Sequence, residues 1–166
     1  MDMDFVEKVR EFNQVAGTLE QLDARKVALY TALQLEELAE KIHAIAKAEK
    51  AAGVEPAEGL GKLLVALEYH SRRFKAGEFD ALVSEAVKDD DLREEILDAD
   101  VDVAVVSIGG AISVGADVQG ACHEVADNNL TKFPIINGVR TVLKDENGKV
   151  KKPEGYQPVS LRKFLK

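Results

Sequence analysis

Asp98-Ala99-Asp100-Val101-Asp102-Val103-Ala104-Val105-Val106 is the stretch on which the fold class turns. Its polar and apolar residues alternate with period two and its valines favour a strand, which would align Asp98, Asp100 and Asp102 on one face. A helix turns by about 100° per residue, so it puts Asp98 and Asp102 together and Asp100 nearly opposite. The run continues from Asp91 without a turn signal for about 25 residues, too long for one strand. The stretch is therefore predicted to be helical, and the chain all-α.

Working outward, helical periodicity recurs on both sides. Val27, Leu35, Leu38, Ile42 and Ile45 keep an apolar stripe between Leu19 and about Lys50, with alanine filling that favours the helix further. Phe5, Val9 and Phe12 mark a short first helix to about Gln14, which Gly17 and Thr18 end. Gly53, Pro56, Gly59 and Gly61 punctuate the next stretch, after which Leu63, Leu67 and Phe74 mark a helix towards Gly77 and a shorter one covers Phe79 to Lys88. Downstream, Ala116 to Leu130 reads as another helix, and Thr141 to Val150 as a β-hairpin around Asn147-Gly148. No internal repeat is present.

The chain of 166 residues fits one domain with a core of its own. With 46% hydrophobic and 31% charged residues it has an ordinary soluble composition, and the single Cys122 excludes an intramolecular disulfide or a multi-cysteine zinc site. The formal charge of −8 disfavours a nucleic acid polymer as partner. The start, Met-Asp-Met-Asp, is acidic where a signal peptide is basic, and the longest apolar stretch, Val101 to Val118, is broken by Asp102, Gly109, Gly110, Gly115 and Asp117. The expectation is a cytoplasmic protein with no membrane span. Basic residues gather towards the C-terminus, at Lys144, Lys149, Lys151, Lys152, Arg162 and Lys163.

Two acidic clusters carry the chemistry. Glu36, Glu37 and Glu40, in Leu35-Glu-Glu-Leu-Ala-Glu40, place carboxylates one turn apart, as do Asp98 and Asp102. Packed face to face, two such helices would gather four or five carboxylates, a costly arrangement unless a cation neutralises it. Oxygen ligands suit Mg²⁺ or Mn²⁺, and Mg²⁺ commonly completes its shell with substrate phosphates. The bland alternatives are a solvated face, with Glu37 and Lys41 as a routine helical pair, and for Asp102 a helix-start acid. His43, His70 and His123 form no constellation, and Cys122 reads as a small packing residue. Gly109-Gly110 reads as close helix packing in a core, because no phosphate-loop pattern follows it.

The order of these motifs resembles the all-α nucleoside triphosphate pyrophosphohydrolases, the MazG-like and phosphoribosyl-ATP-pyrophosphohydrolase-like superfamily. The resemblance rests on Glu36-Glu-Leu-Ala-Glu40, Asp98 to Asp102, Gly115 closing that helix, Glu124-Val-Ala-Asp-Asn-Asn-Leu-Thr-Lys132, and the tail Gly148-Lys-Val-Lys-Lys-Pro-Glu-Gly-Tyr-Gln-Pro158. In the family a Glu stands three residues before the second Asp; here that position is Ala99, and Asp98 stands four before Asp102.

The resemblance implies a MazG-like helical bundle with a small C-terminal β-hairpin, assembled as a homodimer or homotetramer. It implies one domain over the whole chain, with a helical insertion at about residues 50–91 and a basic hairpin and tail at about 138–166. The implied reaction cleaves a free nucleoside or deoxynucleoside triphosphate between the α and β phosphates, giving monophosphate and pyrophosphate. Metal would be held by Glu36, Glu37, Glu40, Asp98 and Asp102, with Glu37 the candidate general base. Asn129 and Lys132 would contact substrate, Phe12 and Asn13 the nucleobase, and Arg25 and Lys26 phosphate; Glu124 and Asp127 lie nearby in sequence. The tail favours a purine, with dGTP a specific candidate. Phosphoribosyl-ATP hydrolysis is the alternative within enzymes, and a non-catalytic helical interaction module the alternative of another class.

Overall fold

The computed structural model describes residues 4–17, 21–53, 58–144 and 150–166. Among the described residues six α-helices follow one another: α1 (Phe5–Ala16), α2 (Ala24–Ala51), α3 (Glu58–Lys75), α4 (Asp80–Ala86), α5 (Asp90–Ser113) and α6 (Val118–Leu130). The expected all-α character is borne out, and the Asp98 to Val106 stretch is helical. A two-stranded antiparallel hairpin, β1 (Ile135–Ile136) and β2 (Val139–Arg140), follows α6. The chain divides into two compact units, Gln21–Leu97 and Met1–Glu20 together with Asp98–Lys166.

In the first unit, α2 packs along α3. Ala28, Ala32 and Ala39 are buried on one side of α2, and their small side chains let the helices approach closely. In that seam the buried Ser71 hydroxyl donates to the Ala32 carbonyl at 2.9 Å, satisfying a polar group inside an apolar contact. The C-terminal end of α3 is fastened by Arg25, which donates to the carbonyls of Phe74 and Lys75 and to Asp80. Phe74 and Phe79 pack ring to ring at 4.4 Å beside it. The segment read as an insertion therefore forms this unit's second wall.

In the second unit, α1 packs on α6. Asp4 caps α1 by accepting from the Glu7 amide, and Gly17, at φ 86°, ends it in the left-handed conformation expected of a stop signal. Among the described residues Phe133 is the largest fully buried side chain, 4.9 Å from the Phe12 ring. Arg140 reaches back from β2 to Glu11 and to the Leu130 carbonyl. The hairpin turns at Asn137-Gly138, both at positive φ (53° and 81°), as a two-residue primed turn requires. The expected turn at Asn147-Gly148 lies outside the described residues, but Lys144 and Val150 on either side of it form an antiparallel bridge.

The tail returns to the start of α6. The Asp117 amide donates to the Phe164 carbonyl at 2.8 Å, and Asp117 caps α6 through the Gly120 amide. A β-carbon at Gly120 would lie 2.6 Å from Asp117 Oδ2 and 2.7 Å from the Phe164 ring. Gly120→Ala is thus expected to destabilise by about 1 kcal/mol or more, because overpacking outweighs the gain in helix propensity. Urea unfolding with an unchanged m value checks it.

One expectation is corrected here. Gly109-Gly110 reads as close helix packing in a core, yet in α5 Leu97, Val101, Val105, Val106, Ile108 and Ile112 are all exposed, and a β-carbon at Gly109 would meet nothing within 4 Å. The physical reason is distribution: Val101, Val105, Ile108 and Ile112 form one stripe and Val103 and Val106 stand on the other side. A helix apolar on opposite sides needs more cover than one neighbour supplies. No helix among the described residues is long and apolar enough to cross a membrane.

Candidate functional site

Helix α2 turns Glu36, Glu40, His43 and Lys47 to one side, at spacings of four, three and four residues. That side flanks the buried alanine seam and forms one wall of a cleft of about 600 Å³. Glu68, Ser71, Arg72 and Lys75 of α3 form the other. Glu36 is half-buried and Glu40 exposed. The Lys75 ammonium contacts Glu36 at 2.6 Å, and Arg72 stands 3.9 Å from Glu68. Three carboxylates and three basic side chains therefore share the cleft, both signs on both walls.

Glu37, about 100° around the helix from Glu36, is exposed and does not line the cleft. Arg25 is committed to the end of α3, so its guanidinium serves packing there. Asp98 and Asp102 are exposed, one turn apart on α5, in the second unit. The continuous helix sets Asp100 away from both. Among the described residues, no group of three or more His, Cys, Asp or Glu side chains stands close enough to hold a metal ion. Glu36 and Glu40 still fit Mg²⁺, which takes one or two carboxylates and completes its octahedron with water and phosphate.

The second unit assembles the other candidates around α6. The Lys132 ammonium donates to Asn129 Oδ1 at 2.7 Å and lies 5.7 Å from the Phe12 ring centre and 6.0 Å from that of Tyr156. Two aromatic faces near an ammonium attract it and limit where it can point. Tyr156 is held in turn, its hydroxyl donating to Asn128 Oδ1 at 2.7 Å while the Asn128 amide donates to the Gln157 carbonyl. Asn13 is half-buried on α1, one residue after Phe12. Asp127 is bound by Lys8 at 2.7 Å, and Glu124 by Lys163 at 3.0 Å. Both acids are thus engaged in ion pairs.

Sequence reasoning missed Lys47, Arg72, Lys75, Tyr156 and Asn128. The first three carry no motif: their only signal is position, Lys47 eleven residues after Glu36 on a continuous helix, and Arg72 and Lys75 one turn apart at the end of α3. Tyr156 was visible in the Gly-Tyr-x-Pro tail without a role. Comparison of the chain with protein-family models, with curated proteins and with solved structures gives no match in any of the three.

Proposed function

We propose that the chain is a Mg²⁺-dependent nucleotide pyrophosphohydrolase of the MazG-like kind, with Mn²⁺ an acceptable substitute. It cleaves a free nucleoside or deoxynucleoside triphosphate between the α and β phosphates, with a purine, and dGTP in particular, the favoured substrate. One observation carries the reading: Glu36 and Glu40 share a cleft wall with Lys47 and face Arg72 and Lys75, so groups that hold a divalent cation adjoin groups that hold phosphate.

In this reading each of two carboxylate pairs, Glu36 with Glu40 and Asp98 with Asp102, would hold Mg²⁺. Bound there, Mg²⁺ would screen triphosphate charge and acidify a water. Glu37, on the adjoining face of α2, is the proposed acceptor of a water's proton, and attack of that water at the α phosphorus would release pyrophosphate with the bridging oxygen. Lys132, steadied by Asn129, supplies charge to phosphate, and the Phe12 ring with Asn13 reads the base by stacking and hydrogen bonds. Glu37→Gln is expected to retain Mg²⁺ affinity and lose turnover by about 10²-fold or more; lost metal affinity would make Glu37 a ligand instead.

A second reading rests on α5, whose exposed apolar surface also suits a non-catalytic interaction module. The pyrophosphohydrolase reading assigns that surface to a second copy of the chain, giving a homodimer or homotetramer. Pyrophosphate release from a panel of ribo- and deoxynucleoside triphosphates and phosphoribosyl-ATP, with Mg²⁺ or Mn²⁺ and chromatographic identification of products, separates the readings. Monophosphate plus pyrophosphate upholds the enzyme. Turnover of phosphoribosyl-ATP alone moves it to histidine synthesis, and no turnover at all favours the module.

A further inference from the structure

The cleft between α2 and α3 has more in it than two carboxylates for a metal. Its cations come from both walls, Lys47 from α2 and Arg72 and Lys75 from α3, with His43 beside them. Lys47 has no hydrogen-bond or ion-pair partner among the described residues, and Arg72 is paired only loosely with Glu68, at 3.9 Å. Lys75, by contrast, is closely paired with Glu36. Arginine adds a planar fork suited to phosphate oxygens, and lysine a point charge on a flexible stem.

Charge balance makes the arrangement specific. Glu36, Glu40 and Glu68 are matched by Lys47, Arg72 and Lys75, so the cleft is near neutrality. A divalent cation held by Glu36 and Glu40 would shift it to net positive and would relieve Lys75 of its carboxylate partner. The cleft then has three cationic side chains and a surplus of charge, which a small polyanion balances. Its volume of about 600 Å³ falls in the ordinary range for small-molecule sites.

We infer that this cleft binds the diphosphate end of the substrate, and hence the pyrophosphate product, with Lys47 and Arg72 as its direct anion contacts and Lys75 as a cation that passes from Glu36 to phosphate. The inference rests on the pyrophosphohydrolase reading and gives α3, the inserted wall, a part in binding. Hydrolysis then leaves the more highly charged product in the cleft. Inorganic pyrophosphate is accordingly a product inhibitor that competes with the triphosphate.

The experiment is calorimetric titration of the full chain with inorganic pyrophosphate, with and without Mg²⁺. Native protein is compared with Lys47→Gln/Arg72→Gln and with Lys88→Gln/Arg93→Gln, a control that removes two exposed cations elsewhere. Binding is expected to need Mg²⁺, to weaken at least about tenfold in the cleft pair, as loss of charge-assisted hydrogen bonds predicts, and to change less than twofold in the control. Lys47→Arg/Arg72→Lys, which keeps both charges, restores most of the affinity and guards against misfolding of the first pair. Equal binding by cleft pair and control, or none by the native chain, overturns the inference. Triphosphate turnover with unaltered pyrophosphate binding in the cleft pair rejects the cleft assignment and leaves the enzyme reading standing. Pyrophosphate binding that the cleft pair loses, with no triphosphate cleaved, upholds the cleft as an anion site and rejects the enzyme reading.

Discussion

Asp98→Asn and Asp102→Asn are each expected to lower triphosphate turnover by at least about 100-fold, while Asp100→Asn, two residues from either, lowers it less than about threefold. The contrast comes from one helix. At about 100° per residue, Asp98 and Asp102 are some 40° apart around α5, whereas Asp100 is at least 160° from each. A carboxylate that holds a metal supplies charge an amide cannot, and several kcal/mol of that stabilisation is worth two or more decades in rate. All three residues are exposed, so the substitutions leave the thermal midpoint within a degree or two. Steady-state rates at saturating Mg²⁺, with melting curves on the same preparations, make the check. Equal loss at Asp98 and Asp100 would show that net charge, not a facing pair, matters. Full activity of Asp98→Asn would remove α5 from the chemistry.

The second large effect is on stability. Phe133→Ala is expected to cost about 3–5 kcal/mol, the usual range for deleting a buried aromatic ring. Phe133 is 1% exposed and packs against Phe12, so the deletion opens a cavity and removes an aromatic pair at once. Set against a total of about 5–15 kcal/mol for an ordinary domain, the loss brings the second unit near its unfolding threshold. Urea titration followed by circular dichroism tests it, and Phe133→Leu, which fills part of the space, recovers about half. Phe12 is also one of the two rings near the Lys132 ammonium. Phe133→Ala therefore raises KM for triphosphate under conditions where the chain is still folded.

Most of the helices were legible, because amphipathic spacing and stop signals are local. α1 begins at Phe5, as its apolar spacing requires, and Gly17 ends it. The Asp98 to Val106 stretch shows why length must arbitrate: its period-two pattern is that of a strand, but the chain makes one helix of Asp90–Ser113. The expected hairpin around Asn147-Gly148 is flanked by the Lys144–Val150 bridge, whereas the hairpin at Ile135-Ile136-Asn137-Gly138-Val139-Arg140, with the same Asn-Gly signal, went unread. Two-residue strands are too short to show periodicity. At the candidate site, the carboxylates announced themselves by helical spacing. Lys75 did not, since its nearness to Glu36 is a fact of how α3 returns along α2, 39 residues later. Arg25 shows the converse: a cation in a plausible place can be spent on holding a helix end.

The exposed valines of α5 bear on how this protein's robustness is to be understood. A helix with apolar side chains on opposite faces contributes little to the folding free energy of a lone chain, and contributes much once something covers it. If a second copy does so, the free energy of that contact enters the folding equilibrium with a dependence on protein concentration. Dilution then acts as a denaturant, and there is no single melting temperature to quote: the midpoint climbs with the logarithm of concentration. Heat resistance in such a protein belongs to the population of chains, not to the individual fold.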